Sequence, residues 1–233
     1  MAAFVALSFF FILLSSASAC DRCIHRSKAT FTSQISSGSC GYGSMATEYF
    51  KGQLLVGGSP SLFKQGAGCG ACFKVRCKNP ALCKSQGILV TLTDSHGDDN
   101  NAFVMSQNAF AAMADKGRSQ SLLKLGVVDI EYKRVPCVYS RNLALRVEDY
   151  SNKPYYLAVK VLYQGGQTDI VAVDVAQVGS RNWTSMRRSY GAVWDTNAVL
   201  TGPLKFGFLV NSGYNTKHIV TQKVLPLLIG KMG

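Results

Sequence analysis

Asp94, Asp98 and Asp99 crowd the run Asp94-Ser95-His96-Gly97-Asp98-Asp99-Asn100. Two carboxyls held about 6.5–9.5 Å apart can hydrolyse a glycosidic bond with inversion, one as acid and one activating water. A catalytic acid needs an apolar pocket to raise its pKa, and Asp98 and Asp99 belong to a polar loop that offers none. The same oxygens could hold calcium or zinc. The run lacks the sixth-position glycine and the distal glutamate of a helix–loop–helix calcium loop, so it reads as a solvated turn with no metal. Ser/His/Asp hydrolysis is weakly supported: His25, His96 and His218 are present, but no serine sits in a Gly-x-Ser-x-Gly elbow.

These residues must be positioned by short strands. From Thr30 to Val135, brief apolar runs alternate with Gly, Ser, Asn and Asp. Phe73 to Val75, Ile88 to Leu92 and Val127 to Tyr132 read as strands. One helix is expected, with Ser106 as N-cap, Phe110, Met113 and Ala114 facing inward and Gly117 at its end. After Tyr139 the candidate strands are Leu143 to Val147, Tyr155 to Tyr163, Ile170 to Val175, Leu204 to Val210 and Ile219 to Leu225. Gly165-Gly166 and Gly202-Pro203 mark turns between them. The second set suits a small antiparallel sandwich of immunoglobulin-like shape.

Residues 1–19 read as a signal peptide, with an apolar run from Phe4 to Leu14 and small residues Ala17 and Ala19 before Cys20. That run is shorter than the roughly 20 residues of a spanning helix, and no later stretch is longer. A secreted, extracellular chain is expected. All eight cysteines follow the proposed cut: Cys20, Cys23, Cys40, Cys69, Cys72, Cys77, Cys83 and Cys137. An even number behind a secretion signal reads as a disulfide framework and argues against a thiol nucleophile. Everything after Cys137 is cysteine-free, which suggests a boundary near residue 140. The formal charge is +12, with +6 on each side of that boundary. Part of this basicity is simply a solubility device; the rest suits an acidic polysaccharide better than nucleic acid, which secretion disfavours, or an anionic membrane, for which no basic amphipathic helix argues.

The segments Cys40-Gly41-Tyr42-Gly43, Gly68-Cys69-Gly70-Ala71-Cys72-Phe73-Lys74-Val75-Arg76-Cys77 and Cys83 resemble the first domain of plant expansins and of family-45 endoglucanases, above all in the expansin-like A branch. The resemblance implies a mainly β protein. Residues 20–139 would form a six-stranded double-psi β-barrel, and residues 140–233 a carbohydrate-binding β-sandwich like that of grass-pollen allergens. It implies the disulfides Cys40–Cys69, Cys72–Cys137 and Cys77–Cys83, leaving Cys20 and Cys23 to pair with each other or elsewhere.

In family-45 endoglucanases the acid lies in a His-Phe-Asp segment leading into the barrel helix. The matching stretch here is Ala102-Phe103-Val104-Met105-Ser106, so Val104 stands where the acid should be and cannot donate a proton. Thr93-Asp94 matches the Thr-Asp that expansins retain, and the resemblance implies a glycan contact for Asp94; a turn-capping role competes closely with it. The family's other carboxylate, before Cys-Gly-Tyr-Gly, has no counterpart between Gln34 and Ser39. Tyr156 and Tyr190 match the two aromatic platform positions of the pollen expansins, on which sugar C–H faces would stack. Phe31-Thr32 replaces a Trp-Tyr pair at the other end of the groove. Tyr155 should face the opposite side of its strand from Tyr156. Trp183 and Trp194 read as core anchors, and Asn182-Trp183-Thr184 is a glycosylation sequon.

The expected function is a non-enzymatic, monomeric wall protein without cofactor. It would bind cellulose, xyloglucan or pectin through Asp94, Phe31, Tyr156 and Tyr190, and would loosen or remodel the wall without cutting it. Two alternatives stand beside it: a residual endoglucanase using Asp94 with Asp98 or Asp99, and a polysaccharide lectin or defence protein with no mechanical effect.

Overall fold

The computed structural model describes residues 23–33, 35, 38–97, 99–221 and 225. The proposed signal peptide, Cys20, Gln34 and Asp98 lie outside them. Thirteen strands dominate the described residues. The first six are β1 (His25–Thr32), β2 (Leu54–Gly58), β3 (Cys72–Cys77), β4 (Ile88–Ser95), β5 (Phe103–Ser106) and β6 (Val127–Val135). They close into a barrel in the order β1-β5-β2-β4-β3-β6. The β1–β5 and β2–β4 pairs are parallel and the others antiparallel. Closure leaves no exposed sheet edge.

The barrel fills by alternation. In β3, Cys72, Phe73, Val75 and Cys77 are buried while Lys74 and Arg76 face water. In β5, Phe103 and Met105 are fully buried and Val104 is not. The helix Gln107–Ala112 lies beneath, its Phe110 fully buried. Ser106 caps it, accepting a hydrogen bond from the Ala109 N–H at 3.3 Å. The helix ends at Ala112 rather than near Gly117, whose positive φ of 79° serves a later turn. Burying each large apolar side chain of this core contributes about 1.5–3 kcal/mol.

Disulfides join Cys40–Cys69, Cys72–Cys137 and Cys77–Cys83, and Cys23 is also disulfide-bonded. All of them belong to the barrel or its approaches. Beyond Cys137 the described residues pack around a separate hydrophobic core without a disulfide.

The remaining strands are β7 (Ala144–Val147), β8 (Leu157–Leu162), β9 (Asp169–Gln177), β10 (Thr184–Tyr190), β11 (Val193–Thr196), β12 (Leu204–Asn211) and β13 (Thr216–Val220). They join edge to edge as β13-β12-β9-β10-β11-β8-β7, entirely antiparallel. This seven-stranded sheet curls over its own core of Leu157, Val159, Val173, Val175, Trp194, Leu204 and Phe206. The last strand runs Thr216–Val220, ahead of the expected Ile219–Leu225; Leu225 makes only an isolated bridge to Leu204.

Candidate functional site

Four residues from neighbouring barrel strands share one row. Thr30 of β1 is opposite Val104 of β5, Val104 is opposite Gly57 of β2, and Gly57 is opposite Asp94 of β4. Paired residues in adjacent strands project from the same face. Asp94 reaches this row through a bulge. Val56 pairs with Leu92 but Gly57 pairs with Asp94, so Thr93 is an extra residue in β4. Without it, Asp94 would share the inward phase of Leu92; the bulge re-aims its side chain. Val104 and Asp94 are thus two strand spacings apart, about 9.5 Å between backbones. That is close to the span an inverting pair of carboxyls requires. Gly57 places no side chain between them, and a Cβ there would lie 3.7 Å from that of Asp94.

Asp94 is 8% exposed, and its Oδ1 accepts the N–H groups of Ser39 at 3.1 Å and Ser95 at 2.9 Å. Asp99 is exposed and its Oδ1 accepts the Ser61 N–H at 3.4 Å, on the short helix Pro60–Phe63. No apolar pocket surrounds that carboxylate, and Asp98 lies outside the described residues. Phe31 is not brought to the row. It pairs with Met105, on the inward face, and its half-buried ring packs 4.8 Å from that of Phe110.

A second group of side chains gathers at the curled sheet. Tyr156 precedes β8 in a turn whose Tyr155 and Tyr156 N–H groups both reach the Asn152 carbonyl. The strand begins only at Leu157, so strand alternation does not apply to this pair. Tyr155 is 65% exposed, whereas the half-buried Tyr156 hydroxyl donates to Asp195 Oδ2 at 3.0 Å. Burial and that hydrogen bond raise the Tyr156 pKa. Asp195 is itself held by both Arg187 Nε and Nη2, at 3.2 and 3.1 Å. Tyr150, absent from the sequence-based site, stands 6.3 Å from Tyr156 with its ring tilted by 31°. It hydrogen-bonds Tyr190, and burial together with that bond raises its pKa. Tyr150 and Tyr190 are both exposed enough to offer ring surface. The three rings form one tyrosine cluster. Its sequence signal was only an aromatic residue in a polar turn, Asp149-Tyr150-Ser151.

The cluster touches the barrel at the Cys40-Gly41-Tyr42-Gly43 segment. A Cβ on Gly41 would meet Tyr190 Cε2 at 2.9 Å. Gly191 lies against the Ser39 carbonyl and Cys40 backbone, and the Ala192 N–H donates to the Cys40 carbonyl at 3.1 Å. The loop whose Ser39 binds Asp94 therefore also seats Tyr190 and Gly191. One backbone segment thus links Asp94 to the tyrosine cluster.

Cations fasten the two halves beneath it. Arg188 stacks over the Trp194 ring at 4.2 Å and donates to the carbonyls of Gly66, Gly191 and Ile170. Burial lowers its pKa to about 10, which leaves it charged at neutral pH. Asp169 is ion-paired with Arg134 at 2.6 Å and accepts a hydrogen bond from Lys64 at 3.2 Å. Trp194 is a core residue, but Trp183 is 38% exposed, with Lys205 over its ring and His218 at its edge. Asn182 is exposed just before β10. Among the described residues no group of three or more His, Cys, Asp or Glu is arranged to hold a metal ion.

Two family models match the chain: Expansin C-terminal domain over residues 143–226, and one described as lytic transglycolase over residues 55–132. The chain is 53% identical to Expansin-like A3 of Arabidopsis thaliana, across 93% of this chain and 84% of that protein. It is likewise 53% identical to Expansin-like A1 of the same plant, with the same coverage. Expansin-like A3 of Oryza sativa subsp. japonica is 42% identical, across 90% of this chain and 79% of its own length. The fold is shared with the expansin of Clavibacter michiganensis, with a TM-score of 0.66, 19% identity, and coverage of 88% of this chain and 96% of that one. A mutant of that bacterial expansin has been solved in complex with cellohexaose. With this level of identity across nearly its whole length, the chain belongs to the plant expansin family, in its expansin-like A branch.

Proposed function

We propose that this is a secreted cell-wall protein that binds β-glucan along the surface running from Asp94 to the tyrosine cluster, and remodels glucan contacts without hydrolysis. The observation that carries the reading is the row Val104–Gly57–Asp94. It retains one carboxylate and an open floor, but a hydrocarbon occupies the position opposite, where an acid would have to protonate the leaving oxygen. Tyr150, Tyr156 and Tyr190 supply ring faces and hydroxyls suited to stacking and hydrogen-bonding sugars. The cellohexaose complex of the bacterial expansin supports a glucan ligand on this fold. Secretion is supported by the disulfides and by the wall-protein family to which the chain belongs. Asn182 is proposed as a glycosylation site, on its exposure and sequon.

The endoglucanase alternative is disfavoured by Asp99, which is exposed and tethered to Ser61 rather than placed in the row with Asp94. Two measurements on the mature protein test the proposal. It should increase the creep of heat-killed wall strips under load, and it should release no more reducing ends from a soluble β-glucan than a boiled control. Creep without cleavage supports the reading. Cleavage overturns the non-enzymatic part, and glucan binding with no creep leaves a lectin.

A further inference from the structure

The outer face of the barrel at β3 and β6 has an organisation that the glucan surface does not use. Lys74 and Lys133 are directly opposite each other in these antiparallel strands. Like charges in such a position repel. Both lysines are exposed, and neither forms an ion pair with a described residue. Arg76, two residues along β3 on the same face, is opposite Glu131. That glutamate is already shared, receiving Arg76 at 2.6 Å and Arg26 at 3.3 Å. It is the carboxylate lining the groove, so the groove keeps a clear excess of positive charge.

The groove has a volume of about 220 Å³ and is not purely ionic. Ile24, on its wall, is 65% exposed, and Ser85 and Gln86 contribute polar groups. Leu89, opposite Lys74 in β4, is 63% exposed and continues the apolar margin. Cations separated by about 5 Å across strands and about 7 Å along one strand, beside apolar surface and hydrogen-bonding side chains, match a specific chemistry. They would receive carboxylates, sugar C–H faces and hydroxyls respectively.

We infer that the groove between β3 and β6 is a second polysaccharide site, specific for an acidic chain of uronic-acid sugars. It lies across the closed barrel from β5 and β2, which carry Val104 and Gly57. One molecule can therefore hold a neutral glucan on one side and a polyuronate on the other. The inference rests on the reading of the chain as a wall-polysaccharide binder, and the two fail separately.

The test compares retention on polygalacturonate, on the same polymer fully methyl-esterified, and on cellulose, each at low and high salt. Lys74→Glu with Lys133→Glu should weaken polygalacturonate binding by at least about tenfold and leave cellulose binding unchanged, which also reports an intact fold. Lys74→Gln with Lys133→Gln should give a smaller loss in the same direction. The control pair Lys116→Glu with Lys124→Glu, exposed elsewhere on the barrel, should change it by less than about threefold. Esterification or high salt should abolish binding at this site. Equal losses from the two glutamate pairs, or equal binding of the esterified polymer, would reduce the effect to net charge and overturn the site. Cellulose binding without any polygalacturonate binding also overturns it while leaving the glucan surface standing; failure on both polymers removes the wider reading.

Discussion

Asp94 and Val104 face each other across Gly57, in one row of the barrel wall. The carboxylate in that row has a structural duty, because its Oδ1 receives the Ser39 and Ser95 N–H groups. Asp94→Asn replaces a charged acceptor by a neutral one. We expect a loss of about 1–3 kcal/mol in denaturant unfolding, with glucan hydrolysis at background before and after the change. Hydrolysis that is present in the wild type and disappears in the variant would instead make Asp94 a catalytic group.

Tyr156 combines a ring with a hydroxyl that donates to Asp195. Tyr156→Phe should cost about 0.5–1.5 kcal/mol of stability while keeping most cellulose binding, since the stacking face survives. Tyr156→Ala with Tyr190→Ala should remove the salt-resistant part of that binding. Tyr150→Ala, at the centre of the cluster, should reduce it too; unchanged pull-down by the Tyr150 variant would separate that ring from the site.

Gly191 and Gly43 both have positive φ, 50° and 55°, but only one is crowded. A Cβ on Gly191 would lie 2.4–2.5 Å from Ser39 and Cys40 backbone atoms, whereas one on Gly43 meets nothing within 4 Å. Gly191→Ala should therefore lose more than about 3 kcal/mol and loosen the contact between barrel and sheet. Gly43→Ala should lose only about 1–2 kcal/mol from backbone strain. Thermal unfolding of the two variants, side by side, checks the difference.

The disulfides differ in how much chain they enclose. Cys72–Cys137 spans 65 residues and Cys77–Cys83 spans 6. Loop-closure entropy then gives about 4 kcal/mol for the first and about 2 kcal/mol for the second. Paired alanine substitutions should follow that order in chemical unfolding; the reverse order would mean that local packing outweighs chain entropy here.

Alkaline pH acts through the phenols of buried Tyr42 and half-buried Tyr139. Burial raises the pKa of Tyr42 and Tyr139 above 10.0, the ordinary value. An unfolded chain loses these protons first, so their contribution to stability is whole below about pH 10 and declines as pH rises toward the folded values. Tyrosinate absorbance should lag behind that of an unfolded control and then rise together with loss of structure. Full phenol ionisation in a still-folded protein would contradict the burial.

The barrel was legible where the sequence carried strong local signals. Ser106 announced its helix through capping, and Ile88 to Leu92 and Val127 to Tyr132 were apolar or β-branched enough to declare strands. β1 was missed because Arg26 and Lys28 alternate with small residues, and β10 because Thr, Ser and Arg fill most of it. Such strands are specified by their neighbours in the sheet rather than by their own composition. Among the site residues, Asp94 and Val104 could be found by order along the chain, but the Thr93 bulge that aligns them is a property of strand register. The same holds for Phe31, whose inward phase follows from pairing with Met105. Tyr150 could be found only once folding had brought its turn beside Tyr156 and Tyr190.

Where Gly66 meets Gly191, the two halves of the molecule touch main chain to main chain, with no side chain between them to act as a cushion. A joint of that kind has little room to bend. On the proposed reading, the polymer rather than this joint is the part left free to change shape when the two meet.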